Sequence, residues 1–206
     1  MIESYPFKLA LITNRHLVKN VPLIKLVEGA LKGGVDAVIL REPDLSPKAL
    51  VVVSREFRKV TRDYNAKLIV KDRIDVALIS EADGVQLGAD SITPSYARKI
   101  WSGLIGYSAH SEREIRELEN HVDYFILSPL FYTRSKPFSK PIGLEKFVEI
   151  ASKAKKPIYP LGGIDLDKVV KLKEAGINVA VIMSAFYRDD PFVMASKIRS
   201  VFEEVS

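Results

Sequence analysis

Cysteine is absent from the 206 residues, which removes thiolate nucleophiles, cysteine zinc sites and iron–sulfur clusters from the available chemistry. Any metal must sit on oxygen or imidazole. No uninterrupted apolar run reaches the roughly 20 residues that span a bilayer, and the N-terminal MIESYPFKLALIT lacks the charged leader region of a signal peptide. The expectation is a cytoplasmic protein without a membrane partner. Glycine is missing from LITNRHLVKN, directly after the first apolar run, so the GxGxxG turn of a dinucleotide-binding open sheet is not there. Internal repeats and low-complexity tracts are absent as well.

What is present is the composition of a globular domain, 47% hydrophobic and 28% charged. The net charge of +5 suits an acidic partner, either nucleic acid or small phosphorylated ligands. Lysines and arginines are spread along the chain and alternate with acids, as in RELEN and VKLKEAG. Such patterning solvates outer helix faces and argues against nucleic acid.

Short β-branched apolar runs alternate with amphipathic stretches from Phe7 to Phe202, the pattern of repeated βα units. The predicted strands are 9–13, 37–41, 67–71, 84–87, 104–108, 124–128, 157–161 and 179–183. They are continuous rather than alternating, as parallel strands covered on both faces require. Ser46-Pro47, Thr93-Pro94 and Asp190-Pro191 each place an N-cap before an N1 proline, and Ser111 with Glu114 spells a capping box. Gly33-Gly34 and Gly176 end the first and seventh helices. Eight such units in this length predict one α/β domain over residues 1–206, a single (β/α)8 TIM barrel. The longest stretch without a periodic signal is 129–141, PLFYTRSKPFSKP, directly after the sixth strand; from Phe131 to Pro141 it is expected to act as a lid.

Barrel active sites gather at the C-terminal strand ends, so the residues just past each predicted strand form one list. It holds Asn14 and Arg15, Arg41 and Glu42, Lys71 and Asp72, Asp90 and Ser91, Ser108 and His110, 133–136, Gly162 and Gly163, and Ser184. Gly162-Gly163 would offer backbone N–H groups and a helix start at Asp165 to a phosphate, with Met183-Ser184 completing the site; a simple tight turn is the other reading. Asp72 suits Mg²⁺ bound to a diphosphate or an ion pair with Lys71 or Arg73, and Asp90 suits a second oxygen donor or a turn. His110 can act as a proton shuttle or a structural histidine. Lys136 offers a point charge on a flexible loop, or is simply solvated.

The segments LITNR, GGVDAVILRE, IVKDRIDVAL, ADGVQLGAD, IGYSAHS, DYFILSPLFYTRSK, PLGGI and VAVIMSAF occur in this order and resemble the thiamine phosphate synthase superfamily, which includes the thiazole tautomerases. The resemblance runs from Leu11 to about Phe186. It implies a transferase of thiamine biosynthesis that joins an aminopyrimidine methyl diphosphate to a thiazole phosphate with Mg²⁺ assistance. Carried over by position, Arg41 and Lys136 would hold the diphosphate, Asp72 the Mg²⁺, and Ser108 with His110 the pyrimidine region. Thr133 and Ser135 would contact the thiazole, and Gly162, Gly163, Met183 and Ser184 its phosphate. His110, Arg41 and Lys136 form the expected catalytic set.

The chain departs from that pattern in one region. Synthases typically read Gln-x-Arg-x-Lys where this chain has Ile39, Arg41 and Pro43, and Asn-Asp where it has Lys71-Asp72. His-Leu-Gly-Gln becomes Gln86-Leu87-Gly88-Ala89, and the second metal carboxylate aligns with Ser91, beside Asp90. Lys71 is a candidate replacement for the cation missing at Pro43. Tautomerases carry their proton-transfer histidine after strand six, where this chain has Pro129. The implied activity is therefore synthase-type coupling, with a thiazole tautomerase or a non-catalytic thiazole-phosphate-binding paralogue as alternatives; a homodimer is left open.

Overall fold

The β-branched runs form eight parallel strands: β1 (Leu9–Ile12), β2 (Ala37–Leu40), β3 (Lys67–Lys71), β4 (Gly84–Leu87), β5 (Leu104–Ala109), β6 (Tyr124–Leu127), β7 (Ile158–Pro160) and β8 (Ala180–Ile182). The computed structural model describes residues 4–133 and 138–204. Between the strands lie α1 (Leu23–Lys32), α2 (Pro47–Asp63), α3 (Ile74–Ile79), α4 (Pro94–Ile100), α5 (Glu112–Leu118), α6 (Leu144–Lys153), α7 (Leu166–Glu174) and, last, α8 (Pro191–Glu203). The sheet order is β7-β6-β5-β4-β3-β2-β1-β8, and a parallel bridge between Leu161 and Val181 joins its two ends. This is the predicted single (β/α)8 barrel.

Alternation along each strand divides the apolar residues into two bodies. Ala10, Ile12, Ile39, Ile69, Tyr124, Ile126, Tyr159 and Val181 fill the interior, with Phe7 added from the segment before β1. Leu9, Leu11, Val38, Leu40, Leu68 and Val70 face the helices, where they meet Leu26, Leu50, Phe57 and Ile198. Each fully buried leucine or isoleucine contributes about 1.5–3 kcal/mol from the water it leaves. Every strand therefore has to be apolar on both faces.

The predicted strands hold to within a residue or two at their ends. Pro157 cannot donate to the ladder, so β7 starts at Ile158, and at Met183 the backbone turns (φ −119, ψ −76) and ends β8. Ser46 and Asp190 cap their helices by accepting from Ala49 and Val193 N–H groups. Thr93 makes no such bond. At α5, Ser111 accepts from Glu114 N–H, but the Glu114 carboxylate reaches back to His110 N–H at 2.6 Å rather than to the cap's own N–H. Two 3-10 turns, Arg15–Leu17 and Ser184–Tyr187, are not legible as elements in the sequence. Among the described residues, no helix is long and apolar enough to cross a membrane.

Candidate active site

Hydrogen bonds between successive loops hold the residues that follow the strands in place. After β1, buried Thr13 accepts the Arg41 N–H through its hydroxyl at 2.9 Å. Arg15 donates its N–H to both oxygens of buried Glu42 (3.1 and 3.2 Å), and its guanidinium reaches Asp44, as does His16 Nε2 at 2.9 Å. The Arg15 hydrogen bond, helped by His16, holds the Asp44 carboxyl down to about 2. The β8 side is tied in through Tyr187, whose hydroxyl accepts from Asn14 N–H at 2.7 Å and donates to Ile12 O at 3.2 Å. Burial pushes that phenol up from its ordinary value.

Next to this lies a cavity of about 360 Å³ between the ends of β2, β3 and β4. From the sequence-predicted set it brings together Arg41, Pro43, Lys71, Asp72, Asp90 and Ser91. Arg73 and Glu42 line it too; Arg73, a candidate ion-pair partner of Asp72 by sequence, pairs with Asp75 instead. Ile39 does not line it. It is 1% exposed and packed in the barrel interior, where an isoleucine completes the apolar layer that an amide would have interrupted.

Lys71 and Asp72, which both line the cavity, pair with each other. The Lys71 ammonium and the Ser91 hydroxyl both donate to Asp72 Oδ1, and Ser91 Oγ accepts the Gly88 N–H at 2.7 Å. Asp72 holds a left-handed backbone (φ 63) while its N–H donates to Gln86 O at 3.1 Å. The ion pair with Lys71 that the sequence offered for Asp72 is formed. The remaining carboxylates of the cavity are Glu42, engaged by Arg15, and Asp90. Among the described residues, no group of three acids or histidines is placed to hold a metal ion.

The other predicted residues sit around the mouth outside this cavity. Ser108 accepts from Gln86 Nε2 at 3.0 Å. His110 Nδ1 lies 2.6 Å from Ser128 O, so the imidazole from the fifth strand is anchored at the end of the sixth, one residue before Pro129. Thr133 is half-buried. Ser135 and Lys136 lie outside the described residues. The base of the loop they belong to is closed by Ile142 and Gly143, whose N–H groups donate to Pro129 and Leu130 carbonyls at 2.9 and 3.1 Å.

Gly162 and Gly163 both adopt positive φ (106 and 66). The turn is seated against the β6 loop: Phe131 N–H donates to Gly162 O at 3.0 Å, and a Cβ on Gly163 would stand 2.3 Å from Tyr132 O. Asp165 then caps α7 by accepting the Lys168 N–H at 3.1 Å. Ser184 opens the 3-10 turn after β8 and, like Met183, is half-buried. A larger cavity of about 470 Å³ lies beside the starts of α7 and α8, lined by Asp165, Asp167, Asp189, Asp190 and Lys197, a sign of charge that repels phosphate.

Residues 9–186 match the family described as thiamine monophosphate synthase. The thiamine-phosphate synthase of Clostridium novyi (strain NT) is 36% identical over 195 residues, 93% of this chain and 96% of the relative. That of Pyrococcus abyssi is 36% identical over 201 residues, 96% of each chain. Among solved structures, a thiamine phosphate pyrophosphorylase from Pyrococcus furiosus superposes with a TM-score of 0.87 at 32% identity, covering 96% of each chain.

Proposed function

The chain belongs to the thiamine monophosphate synthase family, and on that premise we propose that it is a transferase forming thiamine phosphate from an aminopyrimidine methyl diphosphate and a thiazole phosphate. The observation that carries the reading is the cavity at the ends of β2, β3 and β4, which gathers Arg41, Lys71 and Arg73 where a diphosphate would leave. In the reaction the bond between the pyrimidine methylene and the diphosphate oxygen breaks, and its electron pair departs with the diphosphate. The thiazole nitrogen then forms the new carbon–nitrogen bond. No protein nucleophile is needed. The protein's part is to neutralise the leaving group and to hold the two partners in line.

Within this reading Arg41 and Lys71 bind the diphosphate, with Lys136 as the cation expected from the sixth loop. Ser108 and His110 border the pyrimidine, and Thr133 and Ser135 the thiazole. Backbone N–H groups at Gly162 and Gly163, with Met183 and Ser184, take the thiazole phosphate. A magnesium ion is the cofactor expected with such chemistry, and Asp72, Ser91 and Asp90 are its candidate ligands. The donor set does not suit it: Mg²⁺ requires near-octahedral oxygen ligation, whereas among the described residues no three acids or histidines stand together, and Asp72 is paired with the Lys71 ammonium. Small phosphorylated substrates in place of nucleic acid or a membrane, a cytoplasmic location and a homodimeric state belong to the same proposal.

The test is to supply the purified protein with the pyrimidine diphosphate and either the thiazole phosphate carboxylate or its aromatic isomer. Thiamine phosphate, read by mass, is the expected product, with diphosphate and the carboxylate's CO₂ released. Isomerisation of the thiazole without coupling would replace the synthase reading by the tautomerase one.

A further inference from the structure

The cation that faces the diphosphate is built into β3. We infer that Lys71 supplies the counter-charge that a divalent metal would supply to a departing diphosphate, so that diphosphate binding in this cavity is metal-independent. The inference rests on the synthase reading of the site.

Three observations carry it. Lys71 ends β3 in register with Gln86 on β4, on the strand face that carries Ile69 into the barrel interior, so its stem rises from the interior layer to the mouth. Its side chain is 21% exposed, and its ammonium donates to Asp72 Oδ1, so the carboxylate that a metal would use is already paired with a fixed cation. The same oxygen also accepts from Ser91, whose neutral hydroxyl adds no negative charge to hold a divalent ion. Glu42 is committed to Arg15, so Asp90 is the one cavity carboxylate left beside this pair.

An ammonium on a four-carbon stem is a compact point charge with three donors and several accessible rotamers. When the diphosphate enters, Lys71 turns one or two N–H donors onto its oxygens while Ser91 keeps the Asp72 carboxylate oriented. As the carbon–oxygen bond breaks, the electron pair moves onto the diphosphate oxygen beside the ammonium. Lys71 transfers no proton. Asp72 is then a positioning residue: it holds the ammonium in the cavity before the substrate arrives.

The experiment is calorimetric titration of the full chain with inorganic pyrophosphate, in EDTA and in excess MgCl₂. The parent protein is expected to bind in EDTA with a Kd within about threefold of its value in magnesium. Lys71→Asn should weaken binding in EDTA by about tenfold or more, the size of one hydrogen bond to a charged group, and magnesium should restore much of the loss. Lys71→Arg should stay close to the parent. Binding by the parent only when magnesium is present overturns the inference, and so does Lys71→Asn binding as well as the parent in EDTA. The coupling assay, run across the same metal series, separates the two readings. Product formed with a strict magnesium requirement overturns the inference and keeps the synthase. Metal-independent pyrophosphate binding with no product under any condition supports the Lys71 site and overturns the synthase reading.

Discussion

Two tyrosines in the barrel interior differ in what their hydroxyls do. Tyr159 donates to Phe7 O at 2.6 Å and accepts from Phe7 N–H at 3.1 Å. Tyr124 Oη, equally buried, has no partner among the described residues. Removing a satisfied hydroxyl strands the groups it served, whereas removing an unsatisfied one relieves a desolvated atom. Tyr159→Phe should therefore lose about 1–3 kcal/mol in urea unfolding, and Tyr124→Phe should lose nothing or gain. A Tyr159→Phe variant as stable as the parent would refute this. Gly163 belongs to the same scale: its φ of 66 and the 2.3 Å approach of Tyr132 O to any Cβ mean that Gly163→Ala should destabilise by about 1–3 kcal/mol. Loss of phosphate binding in a Gly163 variant would thus report a displaced β6 loop as much as a lost contact, and Ser184→Ala is the cleaner probe. Asp44, held down to about 2 by Arg15 and His16, makes a third case. A depressed carboxyl stabilises the fold above its unfolded value, about 3.9, and the benefit disappears as pH falls through the folded one. The stability gap between the parent and Asp44→Asn should be flat near neutral pH and close between about pH 4 and pH 2.

Helix starts repeat one sequence signal with unequal consequences. Asp190 and Thr93 both precede a proline, yet Asp190 accepts from Val193 N–H at 2.9 Å and the Thr93 hydroxyl turns to Ser95 Oγ at 3.3 Å. Asp190→Ala should cost about 1 kcal/mol and Thr93→Ala less than about 0.5 kcal/mol, measured by thermal or denaturant unfolding. Equal losses would mean that the proline, not the cap bond, sets both starts. The sequence shows that a helix begins at each place. Which side chain finds the free N–H depends on rotamers set by the neighbours, and that was not legible. The same holds for Glu114, which the capping-box pattern assigns to the cap's own N–H but which bonds to His110 N–H, coupling α5 to a residue of the mouth.

At the scale of the whole barrel, the lower end is closed by an aromatic cluster. Phe7 stacks on Tyr159 at 4.3 Å between centroids and meets Tyr124 edge-on at 5.2 Å. Phe7→Ala should cost about 3–5 kcal/mol by opening a cavity at the barrel floor. It should leave pyrophosphate affinity at the opposite end unchanged once the variant is folded, and a matching loss of affinity would show that floor and mouth are coupled.

The sequence by itself determined the eight βα units and their order, because parallel strands buried on both faces must be continuous apolar runs and because cap and proline signals mark several of the helix starts between them. It also picked out Arg41, Lys71, Asp72, Asp90 and Ser91, which the structure gathers in one cavity, since a barrel exposes the residues just past each strand. Only the tertiary structure decided how those residues pair. Lys71 and Asp72 are adjacent in the chain, but the ammonium's claim on Asp72 Oδ1, shared with Ser91 from the next strand's loop, follows from the parallel register of β3 and β4. The withdrawal of Ile39 into the interior follows from the alternation of faces along β2. His110 reaching Ser128 depends on the fifth and sixth strands lying side by side. These are contacts between chain segments that only closure of the barrel brings within reach, and no local pattern encodes them.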